Sequence, residues 1–211
     1  MTIKLSCILF TGILFWGCRS HHDPDNAESA IEWNKMTIKG ELSVGTFYGD
    51  IDKELIVSTD VNIFKTTDGG KTWRKVAQNV NKVRQFYLNG DTLFAISGWP
   101  NYYSLDDGES WQMMSIEIPW DSPKQVITSD HRFFEYVMHA DGENALPSQV
   151  LYSSDNGSTW KDVFPYKHYI TSIYLDAQDK VYVGAGGFTW TESGFVSNNP
   201  DDAIIYYTRK K

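Results

Sequence analysis

From residue 31 onward, short stretches that alternate apolar and polar residues recur between clusters of Gly, Asp and Asn. In the clearest pair, Arg84–Leu88 and Thr92–Ile96 flank the turn Asn89-Gly90-Asp91. Alternation with period two is typical of half-buried strands, and Asn-Gly is a strong hairpin signal. Three other pairs repeat the arrangement: Gly45–Tyr48 with Glu54–Ser58, Gln125–Thr128 with Phe133–Val137, and Thr171–Leu175 with Lys180–Val183. No helical periodicity competes, so the pattern predicts an all-β domain.

An octapeptide motif follows three further predicted strands, Asn62–Thr66, Asn101–Ser104 and Gln149–Ser153. Its copies are residues 66–73 (TTDGGKTW), 104–111 (SLDDGESW) and 153–160 (SSDNGSTW). The Asp can accept backbone N–H groups of its own turn, and the Gly supplies a positive φ. The Trp packs its large apolar area at the start of the next strand. The copies are roughly 40 to 50 residues apart, which is the period of a four-stranded propeller blade.

The last repeat is incomplete, and a segment near the N-terminus can complete it. Ala203–Thr208 has the pattern of a third strand, but no octapeptide or fourth strand follows it. Trp33 begins a segment that aligns with the segments after Trp73, Trp111 and Trp160, and no octapeptide precedes it. We therefore expect the N-terminal strand to complete the last blade and to cover both exposed edges. The alternative is an arc of a larger propeller.

The three octapeptides resemble the Asp-box, or BNR, repeat of sialidase-like β-propellers. That superfamily includes sialidases, xyloglucan-degrading hydrolases, sortilin-type receptors and a photosystem assembly factor. The resemblance implies an all-β propeller of about four four-stranded blades. It also implies that the boxes lie on turns away from the ligand face and stabilise the fold. The residues with this structural role are Asp68, Gly70, Trp73, Asp106, Gly108, Trp111, Asp155, Gly157 and Trp160.

The first 30 residues differ in composition from the rest. Residues 1–18 have a thin positive start at Lys4, an apolar run too short to span a bilayer, and Gly17-Cys18, which resembles a bacterial lipoprotein signal. Cys18 is the predicted lipidation site, and no cysteine follows it. An ordinary secretion signal is the alternative. We expect residues 19–30 to be a polar tether, residues 31–211 to be the propeller domain, and the protein to be anchored in, or secreted from, the bacterial cell envelope.

Charge and motif content narrow the possible partners. The chain has a formal net charge of −8 and no basic patch, so a nucleic-acid partner is not expected. The histidines show no metal-ligand spacing, and the sequence has no nucleotide-binding or zinc-protease motif, so neither a metal nor a cofactor is expected. The expected ligand is therefore a glycan or a protein.

Candidate binding residues fall on one side of the predicted propeller. We call the side with the octapeptide turns the turn face. The other side, which carries the loops between second and third strands and between blades, is the loop face. We expect residues 139–147 and residues 184–202, the longest loop, to lie on the loop face. Long loops with exposed aromatic rings and nearby polar groups suit sugar rings or an extended peptide. The candidate ligand-binding residues are Arg84, Trp99, Tyr102, Trp120, His168, Tyr169, Trp190 and Glu192. The alternative is that these aromatic side chains pack the loops onto one another.

Catalysis is the less favoured interpretation. A sialidase-like site needs three arginines, a Tyr–Glu pair and an acidic residue. Of the arginines here, only Arg84 begins an inner strand near the loop face. A xyloglucanase-like site would use two carboxylates across a cleft, for which Glu117, Asp121 and Glu192 are conceivable. We therefore predict a non-catalytic propeller that binds carbohydrate or peptide. The alternative is a glycoside hydrolase or a remnant of one.

Overall fold

Four antiparallel sheets of short strands build the domain. The computed structural model describes residues 31–119, 121–141, 144–191, 194–197 and 202–209. The predicted signal peptide, the tether and Cys18 lie outside the described residues. Within the described residues, no helix is long and apolar enough to cross a membrane.

Each sheet is one blade, and its strands follow one another from the inside outward. β1 is Trp33–Lys39. Blade 1 consists of β2 (Val44–Asp50), β3 (Glu54–Thr59), β4 (Asn62–Thr66) and β5 (Arg74–Gln78). Blade 2 consists of β6 (Gln85–Asn89), β7 (Thr92–Ile96), β8 (Asn101–Ser104) and β9 (Gln112–Met114). Blade 3 consists of β10 (Gln125–Ile127), β11 (Phe133–Asp141), β12 (Asn144–Ser153) and β13 (Lys161–Asp162).

Blade 4 combines the two ends of the described chain. Its strands are β14 (His168–Leu175), β15 (Val181–Thr191), β16 (Gly194–Ser197) and β17 (Asp202–Thr208), with β1 as the outer strand. β1 pairs antiparallel with β17 at seven positions, from Trp33 opposite Thr208 to Lys39 opposite Asp202. The prediction that the N-terminal strand completes the last blade is therefore confirmed. The inner strands β2, β6, β10 and β14 surround a central channel. The fold is a β-propeller of four blades.

Two predicted loops are longer hairpins. Residues 139–147 were expected to form a loop, but β11 runs to Asp141 and β12 starts at Asn144. Residues 184–202 were also expected to form a loop, but β15 continues to Thr191 and pairs with β16, so blade 4 has a fifth strand. In the second segment, residues 188–191 and 195–196 are aromatic or β-branched, which favours pairing over a free loop. Residues 139–147 contain no such residues, and their pairing continues the ladder between β11 and β12.

The three octapeptide turns share one hydrogen-bonding pattern. In the first, Gly70 N–H donates to Thr66 Oγ1 (3.1 Å), Thr72 N–H donates to Asp68 Oδ1 (2.9 Å), and the Thr72 hydroxyl donates to Asp68 Oδ2 (2.6 Å). Asp106 and Asp155 make the equivalent bonds. The motif glycines Gly70, Gly108 and Gly157 have φ of 78°, 80° and 80°, as the sequence predicts.

The octapeptide tryptophans anchor each turn to its blade. Trp111 and Trp160 donate their indole N–H to the carbonyl oxygens of Gly108 and Gly157, at 3.2 and 3.0 Å. The first turn differs, because the Trp73 indole N–H is buried without a hydrogen-bond partner. In the second turn, a Cβ on Gly108 would come within 2.4 Å of Ile56 in blade 1, so this turn also packs against the preceding blade.

These turns predict a pH-dependent stability. Hydrogen bonds from Thr72, Ser110 and Thr159 lower the pKa of Asp68, Asp106 and Asp155 to about 2. A lowered folded-state pKa stabilises the fold above the unfolded-state value near 4 and loses that effect as pH falls through about 2. We expect Asp106→Asn to lower the midpoint of thermal unfolding at neutral pH, and this difference from wild type to shrink between pH 4 and 2. A difference independent of pH would contradict the expectation.

Buried apolar clusters join neighbouring blades. Blades 3 and 4 meet around Phe134, Tyr152, Ile170 and Tyr206, and Trp33 of β1 belongs to the same cluster. Blades 4 and 1 meet around Phe47 and Tyr182, and blades 1 and 2 around Ile56 and Phe86. The core is therefore distributed between the blades. The connections between strands lie on the turn face or on the loop face.

Candidate functional site

Trp99 is the exposed aromatic side chain of the loop face in blade 2. It lies between β7 and β8, and 64% of its surface is exposed. The loop is held by Asn101, which is buried, accepts the Ser97 N–H at 2.9 Å and donates to the Ile116 carbonyl at 2.7 Å. Asn81 donates to the Trp99 carbonyl at 2.8 Å. Trp99 is thus an exposed ring on a loop that is tied to its blade.

Arg84 and Tyr169 both lie near Tyr136 of β11. Arg84 precedes β6, its side chain is exposed, and it lines the channel. Tyr169 is half-buried near the start of β14. Both act on Tyr136 of β11: burial raises the pKa of the Tyr136 hydroxyl, Tyr169 adds to the rise, and the Arg84 charge opposes it. These two predicted candidates therefore share one electrostatic environment.

Tyr102 and His168 are buried. Tyr102 belongs to the cluster between blades 1 and 2, and its hydroxyl accepts the Asn81 N–H at 3.3 Å. His168 is the first residue of β14, and its Nε2 lies 2.8 Å from the Tyr206 hydroxyl. Their position in strands explains the difference from the predicted loop-face placement, because alternate strand residues point into the interface between blades. The structure does not bring these two side chains to the open surface.

Three other candidates fall partly or wholly outside the description. Trp120 and Glu192 lie outside the described residues. Trp190 lies in β15 opposite Phe195, and only its backbone is described. The placement of the Trp120, Trp190 and Glu192 side chains on the loop face therefore stays a prediction.

A cleft of about 490 Å³ opens on the loop face between blades 3 and 4. Its lining is mainly apolar; we call the apolar lining groups its floor and the polar lining side chains its rim. The lining residues are His139, Leu146, Pro147, Ser148, Gln149, Asp162, Phe164, Pro165, Tyr166 and Lys167. The hairpin β11–β12 supplies one wall, and the connection from β13 to β14 supplies the other. Ser148 of β12 accepts the Ile170 N–H of β14 at 3.1 Å, which joins blades 3 and 4 next to the cleft.

Tyr166 lines this cleft but is not among the candidate ligand-binding residues that the sequence predicts. Its ring stacks on Tyr206 of β17, with centroids 4.4 Å apart and planes 22° apart. The sequence places Tyr166 in a loop rich in aromatic residues, which is a weak signal. The stacking partner is distant in sequence and comes from another strand, so no local pattern could identify it.

Acidic side chains of the turn face bind a buried lysine between blades 4 and 1. Lys180 Nζ lies 2.9 Å from Asp50 Oδ1, 2.6 Å from Asp52 Oδ2 and 3.8 Å from Asp176 Oδ2. Burial alone would lower the pKa of Lys180, but its hydrogen bonds to Asp52 and Asp50 outweigh this and raise it. Burial raises the pKa of Tyr182, whose hydroxyl donates to Asp176 Oδ2 at 2.8 Å. This cluster joins two blades.

The described residues contain no group of three or more His, Cys, Asp or Glu side chains arranged to hold a metal ion. Among the described residues that line the cleft between blades 3 and 4, Asp162 is the one carboxylate. The cleft therefore offers an aromatic ring, apolar floor groups and hydrogen-bonding rim groups.

Sequence comparisons find distant relatives. No family profile matches the sequence. Vacuolar protein sorting/targeting protein 10 of Paracoccidioides lutzii is 23% identical over 161 residues, which cover 68% of this chain and 11% of that protein. The protein of the same name from Blastomyces gilchristii is 23% identical over 144 residues, covering 64% of this chain and 10% of that protein. The chain therefore spans about a tenth of the length of these curated relatives.

Solved structures overlap with this chain only in part. YCF48 bound to D1 peptide has a TM-score of 0.34 at 10% identity and covers 79% of this chain and 55% of its own. Virginiamycin B lyase from Staphylococcus aureus has a TM-score of 0.32 at 12% identity, covering 77% and 58%. An ancestral GH74 enzyme has a TM-score of 0.27 at 16% identity, covering 78% and 27%. The propeller fold follows from the strand pairing within the four blades.

Proposed function

We propose that this protein is a non-catalytic binding propeller that recognises carbohydrate on its loop face. The observation that carries the proposal is the cleft between blades 3 and 4, with an aromatic ring, an apolar floor and a polar rim. Binding sites of this kind combine apolar contact with a few polar groups that fix orientation. Exposed Trp99 and the pair Arg84 and Tyr169 extend the binding chemistry over the same face. Membership of the Asp-box superfamily, which the octapeptide turns support, is part of the proposal.

The described lining of the cleft contains one carboxylate, which favours binding without turnover. Glycoside hydrolysis ordinarily uses two carboxyl groups about 5–10 Å apart. The described lining of the cleft supplies Asp162, whose Oδ1 accepts the Phe164 N–H at 3.1 Å. The envelope location and the lipid anchor at Cys18 stay predictions from the sequence.

A glycan array followed by product analysis tests the proposal. We expect the domain to retain a subset of immobilised glycans, and mass spectrometry to recover the bound oligosaccharide intact after long incubation. Release of a shorter product that stops after Glu117→Gln, Asp121→Asn or Asp162→Asn would overturn the non-catalytic assignment. Binding to no glycan would overturn the carbohydrate assignment.

A protein ligand is the second candidate. It is favoured by the sequence similarity to proteins named for vacuolar sorting and targeting. A display library of extended peptides, run beside the glycan array, separates the two. Selection of peptides in the absence of glycan binding would favour the second candidate.

A further inference from the structure

One face of the Tyr166 ring packs against another aromatic ring, which holds Tyr166 in place. Tyr206 covers that face at a centroid distance of 4.4 Å. Tyr206 is itself fixed, because it is fully buried and its hydroxyl lies 2.8 Å from His168 Nε2. Burial, with a contribution from Tyr166, raises the pKa of the Tyr206 hydroxyl. Tyr166 therefore rests on a rigid, neutral support.

Ring distances show that Phe164 does not cover the other face of Tyr166. The Phe164 centroid is 5.4 Å from Tyr166 and 5.1 Å from Tyr206, nearly perpendicular to both rings. A ring lying on the outer face of Tyr166 would be at least about 9 Å from Tyr206, since each stacked spacing is about 4.5 Å or more. Phe164 therefore lies beside the stacked pair. His168 also lies nearer to Tyr206, at 5.6 Å, than to Tyr166, at 6.5 Å.

Tyr166 is part of the lining of the cleft. The side chain is half-buried and lines the space between blades 3 and 4. Among the described lining residues, the rim carries one cation, Lys167, and one carboxylate, Asp162, so their formal charges balance. His139 Nε2 and Gln149 Oε1 form a hydrogen-bonded pair at 2.9 Å on the same rim. Hydrogen-bond donors and acceptors thus line the same cleft as the aromatic ring of Tyr166.

We propose that Tyr166 is a stacking platform for one neutral pyranose ring, which rests on the proposed carbohydrate-binding function and assigns it a subsite. The C–H groups on one face of a pyranose lie against the tyrosine ring. Its equatorial hydroxyls, which both donate and accept hydrogen bonds, meet the mixed rim groups. A charged ligand would find both an attractive and a repulsive partner here, so the balanced rim favours a neutral sugar.

Ligand-observed NMR with single sugars tests the platform. The probes are the methyl β-glycosides of glucose, galactose, mannose and N-acetylglucosamine and their β-linked trisaccharides, with sorbitol as an acyclic control. We expect saturation transfer to the C–H protons of one ring face, and none to sorbitol. Tyr166→Phe should keep the affinity within about twofold, because it preserves the aromatic face. Tyr166→Leu should lower it about 2- to 10-fold, the range expected for loss of an aromatic contact.

Control variants separate loss of the platform from loss of the fold. Tyr166→Leu still covers Tyr206 with apolar atoms, so its thermal midpoint should stay close to that of wild type. Tyr103→Leu removes a tyrosine from β8, away from the cleft, and should leave sugar affinity unchanged. Equal affinity of Tyr166→Leu and wild type for a sugar that binds would overturn the platform and leave the proposed function intact. Binding of no sugar by wild type would overturn both. Failure of Tyr166→Phe to bind would also overturn the platform.

Discussion

Trp33→Ala should lower the free energy of unfolding by about 3–5 kcal/mol, which is typical for truncation of a buried tryptophan. Only 9% of Trp33 is exposed, its ring meets Phe164 edge to face at 5.5 Å, and its indole N–H donates to the Val163 carbonyl at 2.9 Å. These contacts join β1 to the connection between blades 3 and 4. The effect should appear in chemical denaturation as a lower midpoint with an unchanged slope.

Trp99→Ala is the matched control. Because Trp99 is 64% exposed, its truncation should change the free energy of unfolding by no more than about 0.5 kcal/mol. Deleting β1 altogether should uncover the paired edge of β17 and cause dimerisation or aggregation, which size-exclusion chromatography would detect. A stable monomer with an unchanged melting temperature after that deletion would show that β1 does not hold the ring together.

Lys180→Ala should be the second large loss, about 3 kcal/mol of unfolding free energy. Removing the cation leaves Asp50 and Asp176 buried without their ionic partner, and breaking a buried pair typically costs about 3–5 kcal/mol. We expect the lower end of that range because Asp52, the third partner, is largely exposed to water. Lys53→Ala, which removes an exposed lysine from the same turn, should change stability by no more than about 0.5 kcal/mol.

A double-mutant cycle checks the mechanism of that loss. Asp50→Asn removes one of the stranded charges, so it should cost less in the Lys180→Ala background than in wild type. Burial alone would raise the pKa of Asp50, but the Asp52 N–H and Lys180 outweigh this and lower it. Its contribution is therefore present above about pH 4 and lost in acid. Full additivity of the two single changes would contradict the ionic explanation.

The repeated motif explains why so much of the fold could be predicted. Asp68, Asp106 and Asp155 act within their own turns, so eight consecutive residues contain the whole signal. The role of β1 could also be predicted, because Trp33 matches the tryptophans of the other blades and Ala203–Thr208 lacks an outer neighbour. Local hydrogen bonds and strand periodicity are properties of short segments.

The binding face could be predicted only in part, because it depends on contacts between blades. Trp99 is exposed as expected. Tyr102 and His168 are not, because the sequence does not show which side of a strand faces the neighbouring blade. The sequence predicts loops where the hairpins β11–β12 and β15–β16 form, because pairing of these strand extensions depends on the partner strand. The stacking of Tyr166 on Tyr206 joins residues from two strand systems and leaves no sequence pattern.

Backbone amide chemical shifts, recorded during titration with the strongest glycan from the array, test the central claim most directly. The account predicts shifts concentrated on the loop face, especially in residues 146–149 and 162–167 around the cleft, with the glycan recovered intact. Shifts confined to the octapeptide turns at residues 66–73, 104–111 and 153–160, or cleavage of the glycan during the titration, would contradict it.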